Sequence, residues 1–285
     1  FLYGSNMAWR GSGWSDENLA GILCDTNSVY GSPAVNSLRP ALYDRFVAQY
    51  GIDFRKPTFN YYHSIGAKVN TIFLSGPRKE YRSRPCPLTP EEEALPYDLP
   101  ASFQNLYKPI WITDNGQKKV NPENYYAQYV FDVVTNFKQY VRFWEVWNEP
   151  DYTSKGNGDK ISGQSGNWWD ANPEPCELHN LRSPVQHYNR LLRISYEVIK
   201  SVDPDAIVCT GGIGYASFLD AVLRNTDEDP YGEMVDGETH DLKGGARMDY
   251  VSYHVYPMYY MRQWHGDDEA HPDGFPYYRP TDKAL

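Results

Sequence analysis

No stretch of this sequence approaches the ~20 consecutive apolar residues that a membrane-spanning helix needs. The opening residues, Phe1-Leu2-Tyr3-Gly4-Ser5, lack the basic segment and apolar run of a secretory leader. The chain therefore reads as soluble and already processed, with a secreted or periplasmic location expected. Basic side chains are outnumbered 27 to 37, and the resulting charge of -10 repels polyphosphate, which excludes nucleic acid as a partner. Cysteine is scarce. Cys24, Cys86, Cys176 and Cys209 stand without a CxxC spacing, so neither a zinc site nor a thioredoxin-like motif is suggested. Cys209 sits in an apolar strand pattern and reads as a small buried hydrophobe. Cys86 and Cys176 lie in Pro-rich loops and could join in an oxidising compartment, although sequence does not show that they meet. The histidines His179, His187, His240, His265 and His271 form no HxxEH-like spacing, so no metal is expected. Gly11-Ser12-Gly13 runs into Trp14-Ser15 rather than completing GxGxxG, which sets aside a dinucleotide-dependent oxidoreductase. No cofactor is implied, and no internal repeat or low-complexity tract is visible.

What is abundant is aromatic surface: eight Trp and 25 Tyr among 285 residues. Flat amphipathic rings stack on the apolar faces of sugars while their edges reach hydroxyls, and they equally well fill a core. The length suits a single barrel of about 250 residues.

Short apolar runs alternate with helical patterns, which argues for parallel strands joined by crossover helices. Six strands are expected, at Leu2 to Ala8, Val35 to Leu42, Lys68 to Ser75, Val141 to Trp147, Ala206 to Thr210 and Met248 to Tyr256. Val130, Val134, Phe137 and Val141 follow the rhythm of one helix face in a segment opening at Asn121-Pro122-Glu123. A second helix runs from Tyr188 through Leu191, Leu192, Ser195, Val198 and Ile199 to Val202, where Asp203-Pro204 stops it. Two long loops, Gly76 to Val120 and Asp151 to Pro184, each follow a strand, which is where a parallel barrel carries its functional face. Inside the first, Asp114-Asn115-Gly116-Gln117 between Ile110–Thr113 and Lys118–Val120 predicts a tight hairpin, and the acidic Leu88 to Pro100 predicts an exposed loop.

The expected architecture is α/β: a (β/α)8 TIM barrel spanning 1–285, of which this chain supplies about the first six β/α units. Six parallel strands alone leave two unpaired edges. A C-terminal segment of the same protein is therefore expected to complete the wall.

The sharpest signal is Phe143-Trp144-Glu145-Val146-Trp147-Asn148-Glu149-Pro150. Strand alternation predicts Glu145, Trp147 and Glu149 on one face, with Glu149 at the C-terminal end where barrel enzymes keep their chemistry. A carboxyl there, beside Trp and Asn, is placed to be partly desolvated and to hold a proton near neutral pH, as a general acid requires. Glu145, deeper in the strand, reads as the buried partner of a cation. His254 and Tyr256 alternate at the end of the sixth strand and share a face. Trp168 and Trp169 follow Glu149 in the second long loop and are the best-placed stacking platforms, with Trp144, Trp264, Tyr259 and Tyr260 as further candidates.

With these residues the chain resembles the retaining glycoside hydrolases of clan A, and within it family 39. The resemblance spans Tyr3 to Pro257 and is carried by Asn36-Ser37-Leu38-Arg39-Pro40, Trp147 to Pro150, Val202-Asp203-Pro204 leading to Gly211-Gly212, and Asp249 to Pro257. It implies hydrolysis of a β-linked oligo- or polysaccharide by double displacement: Glu149 protonates the leaving oxygen and later deprotonates water, while a second carboxylate attacks the anomeric carbon. It further implies that Arg39 approaches that nucleophile, that Asn148 holds the hydroxyl beside the reacting carbon, and that His254 looks into the site. In the clan the nucleophile is a Glu ending the seventh strand, expected after Leu285. A rival expectation is a carbohydrate-binding pseudoenzyme that keeps the barrel and lacks the second carboxylate.

Overall fold

A computed structural model of the chain describes residues 4–5, 37–64, 69–84, 88–95, 99–153, 178–232 and 238–254. Its strands are β1 (Gly4–Ser5), β2 (Ser37–Leu38), β3 (Val69–Leu74), β4 (Arg82–Ser83), β5 (Ser102–Phe103), β6 (Trp111–Asp114), β7 (Gln117–Val120), β8 (Val141–Val146) and β9 (Ile207–Thr210). Five of them form one sheet in the order β1-β2-β3-β8-β9, parallel throughout. Strand order follows chain order, with no reversal of the kind that makes the switch point of a doubly wound fold. Among the described residues the sheet is open rather than closed into a barrel.

The crossovers explain the parallel pairing, since such strands need a connection long enough to return along the sheet. Helices α1 (Asp44–Tyr50) and α2 (Lys56–Ser64) join β2 to β3. After the short α3 (Pro90–Glu93), α4 (Tyr125–Phe137) leads into β8, α5 (Val185–Val202) joins β8 to β9, and α6 (Ala216–Arg224) follows β9. The Asn124 side chain accepts from Ala127 N at 3.0 Å and starts α4, satisfying one of the donors a helix N-terminus leaves open. Val130, Val134 and Phe137 form its fully buried stripe. Val141 continues their rhythm but belongs to β8, because α4 ends at Phe137. Helix α5 ends at Val202 as its sequence predicts, with Asp203 N returning to Ile199 O. A buried hydrogen bond of 2.9 Å between Tyr126 and Ser195 joins α4 to α5.

The sixth strand expected over Met248 to Tyr256 is not a regular strand in its described part. It meets β9 and the turn beyond it through isolated parallel bridges, Cys209 to Tyr250 and Ile213 to Tyr253. Side chains interrupt the ladder: Val208 N donates to Asp249 Oδ2 at 2.8 Å, and the Thr210 hydroxyl accepts from Ser252 N at 2.9 Å. Of Leu2 to Ala8 only Gly4–Ser5 are described, and Tyr256 lies outside the described residues.

The hairpin forms as the Asn-Gly pair predicts, β6 antiparallel to β7, with both Asn115 (φ 50°) and Gly116 (φ 76°) left-handed. The acidic segment is largely an exposed capped turn, in which Thr89 and Glu92 satisfy each other's backbone N–H groups. The two long loops meet where Arg182 pairs with Glu92 at 3.0 Å. No helix among the described residues is long and apolar enough to cross a membrane.

Candidate active site at the ends of the parallel strands

Leu74, Val146 and Thr210 are level in register, so β3, β8 and β9 end together. The chain breaks from extended geometry immediately beyond, with left-handed φ at Trp147 (74°) and Glu149 (46°). For residues with a Cβ such backbone costs about 1–3 kcal/mol each and survives only where surroundings impose it. Here they do. Trp147 N donates to Leu74 O at 3.1 Å, the indole N–H to Asn180 O at 2.9 Å, Glu149 N to Gly211 O at 2.5 Å, and the Asn180 amide to Glu149 O at 3.2 Å.

These two turns change which side chains share a face. Arg39, just past β2, lies 2.5 Å from Glu145 Oε2 and donates to Asn148 Oδ1 at 2.9 Å. Residues three apart on a continuing strand would point to opposite faces. The turn at Trp147 brings Asn148 to the Glu145 side, while the Trp147 ring is buried against Phe103. The face expected for Glu145, Trp147 and Glu149 is thus corrected: Asn148 replaces Trp147 on it. Glu145 is the partner of a cation, with Ser252 Oγ donating to its second oxygen at 3.1 Å, and Arg39 also lies over the Phe73 ring at 4.4 Å.

His254 Nδ1 lies 2.8 Å from Glu149 Oε1, with both side chains partly exposed. The imidazole rests on Gly212, where an added Cβ would come within 2.3 Å of Nε2; at Gly211 one would lie 2.2 Å from Val146 O. The Gly211-Gly212 pair therefore lets β9 approach both the end of β8 and His254. Tyr188, fully buried on α5, joins the same strand ends: its hydroxyl donates to Val146 O at 3.1 Å and accepts from Gly211 N at 2.9 Å.

Asp151 belongs to the same site. It is 2% exposed, and one oxygen accepts from Gly214 N at 2.8 Å and Tyr215 N at 2.6 Å, so it clamps the turn containing Gly211 and Gly212. Burial pushes its carboxyl up to about 6, opposed by those two hydrogen bonds. Nothing but its place after Pro150 could have marked it. Ser252 was findable, since it shares the alternation of His254. Asn180 was not, as it arrives from a loop.

The structure brings Arg39, Asn148, Glu149 and His254 together. Trp168, Trp169, Tyr256, Trp264, Tyr259 and Tyr260 lie outside the described residues, as do Cys86 and Cys176. Trp144 is excluded as a stacking platform because it is fully buried in the core. Burial and neighbouring Glu145 and Asp249 push the Cys209 thiol up to about 12, leaving it protonated and unreactive.

No protein-family model and no curated protein matches the sequence. Solved structures to which the chain is similar include a family 39 glycoside hydrolase from Bacteroides cellulosilyticus WH2, at 19% identity and TM-score 0.35 over 67% of this chain and 30% of that one. An exo-β-1,4-mannosidase from Opitutaceae bacterium strain TAV5 overlaps at 14% identity and TM-score 0.44, over 90% and 38% of the two chains. A GH30 endoxylanase from Clostridium papyrosolvens C71 overlaps at 15% and 0.43, over 92% and 53%. The matched region thus spans between 30% and 53% of these three proteins.

Proposed function

We propose that the chain carries the acid/base half of a retaining glycoside hydrolase with a (β/α)8 barrel, acting on a β-linked oligo- or polysaccharide. The observation that carries the reading is the Glu149–His254 contact of 2.8 Å at the C-terminal ends of parallel strands, beside the Arg39–Asn148 pair. Glu149 is the general acid/base. With Nδ1 protonated, His254 donates to Oε1 whether Glu149 is neutral or ionised, so the proton given to the leaving oxygen and later taken from water is the one on Oε2, and the same contact serves both halves of a double displacement. Asn148, oriented by Arg39, offers its amide to the sugar hydroxyl beside the reacting carbon. Tyr256, Trp168 and Trp169 are proposed to complete the sugar-binding surface. The attacking carboxylate is proposed to come from a C-terminal segment of the same protein. Its position relative to Glu149 should be about 5 Å, the separation that retention requires. Proton NMR of the first product released by the full-length protein tests the mechanism: the anomeric configuration of the substrate is expected, and its inversion would overturn the reading.

One observation favours the alternative, a carbohydrate-binding barrel without hydrolysis. Glu145 and Asp151, the carboxylates flanking Glu149, are both engaged, by Arg39 and Ser252 and by two backbone N–H groups. Binding of β-linked oligosaccharides by the full-length protein with no cleavage would decide for it.

A further inference from the structure

The segment 149–151 and the turn 211–215 beyond β9 are tied together at both ends. At one end Glu149 N donates to Gly211 O at 2.5 Å; at the other the Asp151 carboxylate accepts from Gly214 N at 2.8 Å and Tyr215 N at 2.6 Å. Between those ties the turn places His254. Ile213 O accepts from His254 N at 3.0 Å, Ile213 N donates to Ser252 O at 2.9 Å, and the imidazole rests on Gly212. The Tyr253 hydroxyl adds a bond to Gly214 O at 3.2 Å. The segment that carries Glu149 therefore also holds, through Asp151, the turn on which the partner of Glu149 is mounted.

Holding two amides does not require a charge, since the oxygen of an Asn accepts from the same N–H groups. Asp151 is 2% exposed, and burial pushes its carboxyl up to about 6. At pH 7 the fold thus keeps an ionised carboxylate at a cost in stability that a neutral amide would avoid. The Gly214 and Tyr215 amides, at the start of α6, offset only part of that cost. Facing Asp151 are Glu149 on its own segment and Tyr188 on α5, and His254 in turn faces Glu149. Burial holds the Tyr188 hydroxyl well above its ordinary range, so it stays neutral. Glu149 is protonated in one half of the proposed cycle and ionised in the other. Repulsion between two carboxylates is mutual, each disfavouring ionisation of the other, so the charge on Asp151 bears on the proton of Glu149.

We propose that Asp151 is a positioning residue for the acid/base pair: it fixes His254 against Glu149 through the turn 211–215, and its negative charge keeps the Glu149 carboxyl protonated to higher pH. The inference rests on the hydrolase reading above and deepens it, by naming the group that sets where the acid stands and when it gives up its proton.

Two variants of the full-length protein separate clamp from charge. Asp151→Asn keeps an oxygen for both amides and removes the charge; Asp151→Ala removes both. The first readout is kcat/KM against pH on an unactivated β-linked oligosaccharide. Asp151→Asn is expected to keep most of the plateau and to move the alkaline limb down by about half a unit. Asp151→Ala is expected to lose about tenfold or more at every pH as His254 is displaced, part of what acid/base assistance contributes. The second readout needs no turnover: carbon-13 NMR of labelled glutamate carboxyls, with Glu149→Gln assigning the signal, follows the titration of Glu149. Its midpoint should fall by the same half unit, roughly, in Asp151→Asn. Urea unfolding verifies that each variant is folded, and if Asp151→Ala is not, the two readouts on Asp151→Asn decide. A midpoint and an alkaline limb unmoved in Asp151→Asn would overturn the inference, as would native kcat/KM in a folded Asp151→Ala. A lowered midpoint in a protein that cleaves no glycan would sink the hydrolase and leave the role of Asp151 standing. Cleavage by a protein whose Glu149 titrates alike with Asp or Asn at position 151 would do the reverse.

Discussion

His254 Nδ1 lies 2.8 Å from Glu149 Oε1, and the imidazole can be there because position 212 has no Cβ. Gly212→Ala would add an atom within 2.3 Å of the ring at a backbone φ of +65°. A folded protein with a displaced His254 is expected, losing about ten- to a hundredfold in kcat/KM, part of what acid/base assistance contributes. Steady-state kinetics beside circular dichroism checks it; native turnover with the substitution in place would show that the contact does not serve the chemistry.

Asp151 predicts a pH dependence of stability. Its folded carboxyl sits near 6 against 3.8 for the ordinary side chain. A raised value means that the folded state binds the proton more tightly, so the stability it contributes is full below about 4 and is lost as pH rises through about 6. Two units correspond to about 3 kcal/mol. Asp151→Asn keeps an oxygen for Gly214 N and Tyr215 N and removes the charge. Urea unfolding should find it more stable than the native protein at pH 7 and equal to it near pH 3.5. No change in the difference between those pH values would refute the assignment.

Much of the frame was legible because local chemistry decides it. Helix α4 follows from its apolar rhythm and Asn124, the end of α5 from Asp203-Pro204, and the β6–β7 hairpin from Asn115-Gly116. The position of Glu149 just beyond the end of β8 was legible from its motif at the end of an apolar strand. The regular alternation drawn through Trp147 was not, because its left-handed turn is imposed by Leu74, Asn180 and Gly211, all distant in sequence. The Met248 segment read as a strand, yet Asp249 and Thr210 side chains take the places of ladder partners, which no pattern of apolar residues records. Asp151 was invisible for the same reason: its role lies in the Gly214 and Tyr215 amides it holds.

Tyr188 links α5 to the strand ends from a fully buried position. Tyr188→Phe keeps the packing and leaves Gly211 N without its acceptor and Val146 O without this donor. A loss of about 1–3 kcal/mol is expected from chemical denaturation, the cost of an unsatisfied buried group. Undiminished stability would mean that water enters to replace the hydroxyl.

Arg39→Ala strands Glu145 in a largely buried setting and is expected to destabilise by about 3–5 kcal/mol. Adding Glu145→Gln should recover part of that loss, since the neutral amide needs no counter-ion. Additive losses in the double variant would show that the two side chains do not depend on each other.

Glu149 is proposed to transfer the proton, and Glu149→Gln in the full-length protein isolates that step, because the amide keeps the shape and cannot ionise. Its kcat/KM is to be compared on an unactivated β-linked oligosaccharide and on an aryl glycoside whose leaving group departs without protonation. A loss of about two to four orders of magnitude on the first, with a much smaller loss in the glycosylation step on the second, is the predicted result. Native rates on the unactivated oligosaccharide would contradict it.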